Sequence, residues 1–139
     1  MDEKRILSKI DELDSYLDEL DKIKPSSFEE YESSIKDKRA VERLFQIMIE
    51  TVLDICNIII SDLKLGLPSD EDEVFKKLLE KKIISKEITS ILKEMKSFRN
   101  ILVHKYGKVD DEKVFENLEK LEDFDKFKEE ILIFIKKYK

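Results

Sequence analysis

Arg99-Asn100-Ile101-Leu102-Val103-His104-Lys105-Tyr106 holds the only histidine of the chain, His104, five positions after an arginine and two before a tyrosine. Imidazole, with an ordinary pKa of about 6.5, exchanges a proton near neutral pH without a metal to retune it. A guanidinium such as that of Arg99 holds the charge that builds on a phosphoryl group during transfer. Together these two groups suffice for metal-independent RNA cleavage, in which the 2′-hydroxyl attacks its own phosphate and leaves a cyclic phosphate and a free 5′-hydroxyl. In that scheme His104 takes the 2′-hydroxyl proton or protonates the leaving 5′-oxygen, and Arg99 stabilises the phosphorane-like charge. Asn100 would hold the phosphate or the imidazole. Tyr106 either packs as a ring at the end of its helix or takes a direct part.

The charge around these residues favours a polyanion. The chain as a whole is acidic, at a net charge of −6, yet residues 93–108 carry five basic side chains (Lys93, Lys96, Arg99, Lys105, Lys108) against Glu94 alone. That window is +4 on a body of −10, a focused patch suited to a few phosphates rather than to bulk nucleic acid. A structural account fits the same residues. Lys86 to Tyr106 reads as one helix, with Ser85 as N-cap and Gly107 just past the end. His104 and Lys105 would then be last-turn cations opposing the helix dipole.

The segment Phe98-Arg99-Asn100-Ile101-Leu102-Val103-His104-Lys105-Tyr106 resembles the Arg-x4-His-x-Tyr signature of HEPN-domain proteins, in their HepT-like toxin branch. A second stretch, Arg39-Ala40-Val41-Glu42-Arg43-Leu44 running on through Gln46, Glu50 and Asp54, is similar to that branch as well. The resemblance implies an RNase toxin, paired with a minimal nucleotidyltransferase antitoxin that adenylylates the motif tyrosine. Arg99 and His104 would be catalytic, Asn100 positioning, and Tyr106 the modified residue. HEPN domains also serve as noncatalytic modules that bind a nucleotide or substrate for a nucleotidyltransferase partner, so the site has to carry the functional argument.

Composition narrows the alternatives. At 139 residues, with 43% charged side chains, two glycines, two prolines and no tryptophan, the chain reads as a single all-α domain spanning 1–139. One histidine and one cysteine cannot build a typical zinc site, and the acids form no EF-hand loop, so neither metal nor cofactor is expected. Cys56 lies in an apolar run and reads as a buried, inert thiol. The N-terminal Met1-to-Leu13 stretch lacks the apolar core of a signal peptide, and no apolar run is expected to reach membrane-spanning length. A reducing cytoplasm is the expected setting, with no membrane partner.

The elements that must position the motif are legible as amphipathic periods. Ile6, Ile10, Leu13, Leu17 and Leu20 mark a first helix ending before Pro25, and Ser27 to Glu30 is a capping pattern for a short turn. A long apolar helix from about Asp37 to Leu63 is stopped by Gly66-Leu67-Pro68. Ser69 to Asp72 opens a short helix through Leu79. The motif helix follows, and Asp110 and Asp111 cap a last segment bent near Asp123 to Asp125. The expected fold is an up-and-down bundle of four to five helices, HEPN-like and dimeric.

The long helix carries a polar ribbon, Arg39, Arg43, Gln46, Glu50, Asp54, Asn57 and Ser61, on an otherwise apolar wheel. This ribbon is either a plain solvent face or the wall of a cleft in which Glu50, Asp54 and Asn57 orient Arg99 or His104. The breadth of the apolar surface suggests a central helix or one packed on a second subunit. Along a regular helix Arg99 and His104 diverge by about 140°, at about 100° per residue. A long Arg side chain or a distorted last turn could close that gap within one chain, and a homodimer that sets an Arg of one chain near the His of the other would close it as in the composite sites of similar HEPN proteins.

Overall fold

The computed structural model describes residues 1–103 and 109–138. Among them the chain forms seven helices: α1 (Glu3–Ile23), α2 (Phe28–Ser33), α3 (Ile35–Asp62), α4 (Glu71–Glu80), α5 (Lys86–Val103), α6 (Asp111–Leu118) and α7 (Glu122–Tyr138). The fold is all-α as expected, with more helices than the four or five anticipated. Two short elements account for the excess. Ser27 caps Glu30 N at 3.1 Å and makes α2 a helix of its own, and the last segment breaks at 119–121 into α6 and α7 instead of bending near Asp123.

α3 is the central element. The Asp2 backbone N–H donates to the Asp62 carboxylate at 3.0 Å and Lys9 pairs with Asp54 at 3.6 Å, so α1 runs antiparallel along α3. α3 is long and apolar enough, by length and composition, to cross a membrane, which corrects the expectation that no such run exists. Its apolar surface is used within the chain: Val41, Phe45, Met48, Ile49, Val52, Ile55 and Ile59 are all buried, and the helix packs on α1, α2, α4 and α5. The breadth of this helix therefore gives no separate argument for a second subunit. Its end is set earlier than the glycine suggested. Lys64 takes a left-handed φ of 52° and Leu65 N–H returns to the Ile60 carbonyl at 3.0 Å, a Schellman-type closure, before Gly66 at φ +100° turns the chain toward α4.

The motif helix α5 is held at its start and along its core face. Ser85 Oγ accepts from Ile88 N–H at 3.1 Å, the N-cap expected of it. The same serine donates from its backbone N–H and its hydroxyl to Glu130 of α7, both at 2.7 Å. Leu92, Met95, Phe98 and Leu102 then bury one stripe of α5. Phe98 meets Phe45 of α3 edge to face, with ring centroids 5.2 Å apart.

Cys56 is fully buried on α3, and burial pushes its thiol from the ordinary 9.0 up to about 12. Raising a thiol pKa by that much suppresses the reactive thiolate about a thousandfold at neutral pH. The folded protein should therefore resist maleimide or Ellman labelling at pH 8 and react promptly in 6 M guanidinium. Rapid labelling of the native protein would contradict the burial.

Candidate functional site

Arg99 lies one position past the Phe98 anchor, at the edge of the buried stripe. Its side chain is 20% exposed, and its Nη2 donates to Glu71 Oε1 of α4 at 2.5 Å. Its Nε is enclosed and has no hydrogen-bond partner among the described residues. Asn100 beside it is half-buried, whereas Ile101 and Val103 are 36% and 43% exposed. His104 and Tyr106 lie outside the described residues, as do Lys105 and Lys108.

One turn before Arg99, Lys96 Nζ pairs with Asp72 Oδ1 at 3.0 Å. The first turn of α4 thus sets two acids against two cations of α5, with the helices antiparallel. Two of the five cations counted in the basic window are partly neutralised in this way. A charge count along the chain missed this because the acids are supplied from some 25 residues upstream. The stretch Ser69 to Asp72 carried only a capping signal. That signal is real, since Asp70 Oδ1 accepts from Glu73 N–H at 2.9 Å, and it conceals a second role for Glu71.

The α3 ribbon is divided among several neighbours. Asp54 is paired with Lys9, and Asn57 shares a shallow cleft with Arg5, Lys9, Asp54 and Ser61. Gln46 donates to Glu50 at 3.2 Å, and Arg39 donates to the buried Glu42 at 2.7 Å. Among the described residues, the carboxylate bonded to Arg99 comes from α4. The cleft of about 650 Å³ between α4 and α5 is lined by Asp70, Asp72, Glu73, Lys77, Thr89 and Lys93, and Arg99 does not line it.

The family model described as "Ribonuclease HepT-like" matches residues 6–131. The chain belongs to this family. A HepT-like relative, the "tRNA nuclease HepT" of Aphanizomenon flos-aquae, is 32% identical over 110 residues, covering 79% of this chain and 75% of its own. Among solved structures, a tri-AMPylated HEPN toxin of Shewanella oneidensis in complex with MNT antitoxin superposes with a TM-score of 0.85 at 24% identity, over 96% of this chain and 99% of that one. YutE of Bacillus subtilis, described as a cytosolic protein of unknown function, superposes with a TM-score of 0.83 at 19% identity, over 99% of this chain and 93% of that one. At these identities the structural matches establish the HEPN-type fold. The family model and the curated relative establish that this is a chain of the HepT-like ribonucleases.

Proposed function

We propose that this HepT-like chain is a metal-independent endoribonuclease toxin, with Arg99 and His104 as its catalytic residues. The observation that carries the reading is an arginine held half-buried at the end of the motif helix, five residues before the only histidine, in a chain matched by the ribonuclease family over 6–131. Arg99 stabilises charge on the phosphoryl oxygens, and His104 moves the proton of the 2′-hydroxyl or of the leaving 5′-oxygen. Asn100 orients one of these groups. The curated relative named a tRNA nuclease supports a structured RNA as the substrate class. The description of YutE as cytosolic supports a cytoplasmic setting.

The complete site is read as composite across a homodimer, each chain supplying an arginine to its partner's histidine. Ile101 and Val103, exposed beside Arg99, are apolar surface of the kind such a seam would cover. Glu50, Asp54 and Asn57 act in this reading only at one remove, because within one chain Asp54 is engaged by Lys9 and Gln46 bonds Glu50. The partner is a minimal nucleotidyltransferase antitoxin, supported by the AMPylated toxin crystallised with its MNT antitoxin.

Cleavage of a labelled RNA pool in EDTA, with product ends identified, tests the reading. Cutting that leaves 2′,3′-cyclic phosphates is the expected result. Ligand binding without cutting would shift the assignment to a noncatalytic module serving the nucleotidyltransferase.

Neutralisation is assigned to Tyr106. AMP attached there adds bulk and negative charge beside a site built to receive phosphate. Tyr106→Phe should cut RNA but take up no AMP from the partner enzyme, measured by intact mass. AMP incorporation that persists in this variant would overturn the assignment.

A further inference from the structure

We propose that Glu71 is a positioning residue of this site, whose carboxylate holds the Arg99 guanidinium in the orientation that receives a phosphoryl oxygen. The proposal rests on the reading of Arg99 as a catalytic group.

Arg99 is a long side chain with many rotamers, and it is useful to a transition state only if that freedom is removed beforehand. The buried stripe of α5 fixes its Cα but not its guanidinium. Its Nε has no partner among the described residues, and the hydrogen bond from Nη2 to Glu71 Oε1, at 2.5 Å, ties the head group to α4. One oxygen at Nη2 occupies one corner of a fork with five N–H donors, which leaves donors for phosphate.

Glu71 is itself placed by a rigid element. It sits in the first turn of α4, where the helix dipole favours a carboxylate. Asp70 caps that turn, and Ser69 Oγ donates to Glu73 Oε2 at 2.6 Å. Val74, Phe75 and Leu78 anchor the helix in the core. A catalytic side chain supported by a neighbour on such an element is held to within a fraction of an ångström, the tolerance that catalysis demands.

The neighbouring pair supplies an internal comparison. Asp72 to Lys96 is also an ion pair from the first turn of α4 to α5, but it is not bonded to Arg99. Glu71→Ala is expected to lower kcat on labelled RNA about tenfold or more, with KM within about threefold, as expected for a misplaced catalytic group. Glu71→Gln keeps an acceptor oxygen and should recover most of kcat, and it also serves if the alanine variant folds poorly. Asp72→Ala should stay within about twofold of wild type. A folded Glu71→Ala with unchanged kcat would overturn the proposal. So would an equal loss in Asp72→Ala, which would mean helix docking, or a gain in affinity and rate, which would make Glu71 a shield.

A readout independent of cleavage separates this inference from the RNase reading. In protein carrying 15N-arginine, with Arg99 assigned through Arg99→Lys, restricted rotation of the Arg99 guanidinium should be present in wild type and lost in Glu71→Ala. If wild type cuts no RNA yet shows this dependence, the RNase reading fails and the positioning role stands. No dependence overturns the role of Glu71 whatever the activity.

Discussion

Arg99→Ala and His104→Ala should each all but abolish RNA cleavage. Removing one charge-stabilising donor typically costs about 10²–10³ in rate. Removing the group that moves a proton costs about 10²–10⁴. Groups that serve one transition state are not additive, so the double variant should be about as inactive as the worse single one. Arg99→Ala should not unfold the chain. That side chain sits at the edge of the core, 20% exposed, and the anchors of its helix are Leu92, Met95, Phe98 and Leu102. Circular dichroism should therefore match wild type while the cleavage gel goes blank. If Arg99→Ala stays folded and cuts within about threefold of wild type, the catalytic assignment is wrong. Arg99→Lys is the finer probe: it keeps the charge but not the planar fork, and should fall between the two.

The second large effect is on stability. Phe45 is 1% exposed on α3, and its ring meets Phe98 at 76° on the face of α5 directly before Arg99. Phe45→Ala removes a buried ring and leaves a cavity, which costs about 3–5 kcal/mol. Domains of this kind have only about 5–15 kcal/mol to lose. A fall of roughly 10–20 °C in Tm is the expected result, by calorimetry or thermal circular dichroism. Ile35, at 71% exposure on the same helix, is the matched control, and Ile35→Ala should change stability by about 0.5 kcal/mol or less. If both variants melt alike, the packing of α3 against α5 is not what holds the motif helix. Because Phe98 adjoins Arg99, residual activity of Phe45→Ala below its Tm would also report how far the core positions the site.

The sequence by itself determined most of the helices, because the 3.6-residue period of apolar side chains is a local property, but not the break that separates α6 from α7. Ser27, Asp70 and Ser85 each cap the turn they precede, since capping is a contact over two or three residues. The burial of Cys56 was legible from the apolar run around it, and the Arg-x4-His-x-Tyr spacing pointed to the family that the comparisons establish.

Only the tertiary structure decided which charges meet. Along the chain, residues 93–108 read as a nearly unopposed basic patch. In the fold, α4 packs antiparallel on α5 and brings Glu71 to Arg99 and Asp72 to Lys96. The ribbon of α3 was visible as a line of polar residues, but its partners were not, and Asp54 goes to Lys9 of α1. Likewise the breadth of the apolar face on α3 left a second subunit open, whereas α1, α4 and α5 bury that face within one chain. Hydrophobic period is written within each helix, whereas pairs such as Glu71 with Arg99 and Asp54 with Lys9 depend on two helices that the sequence separates and packing brings together.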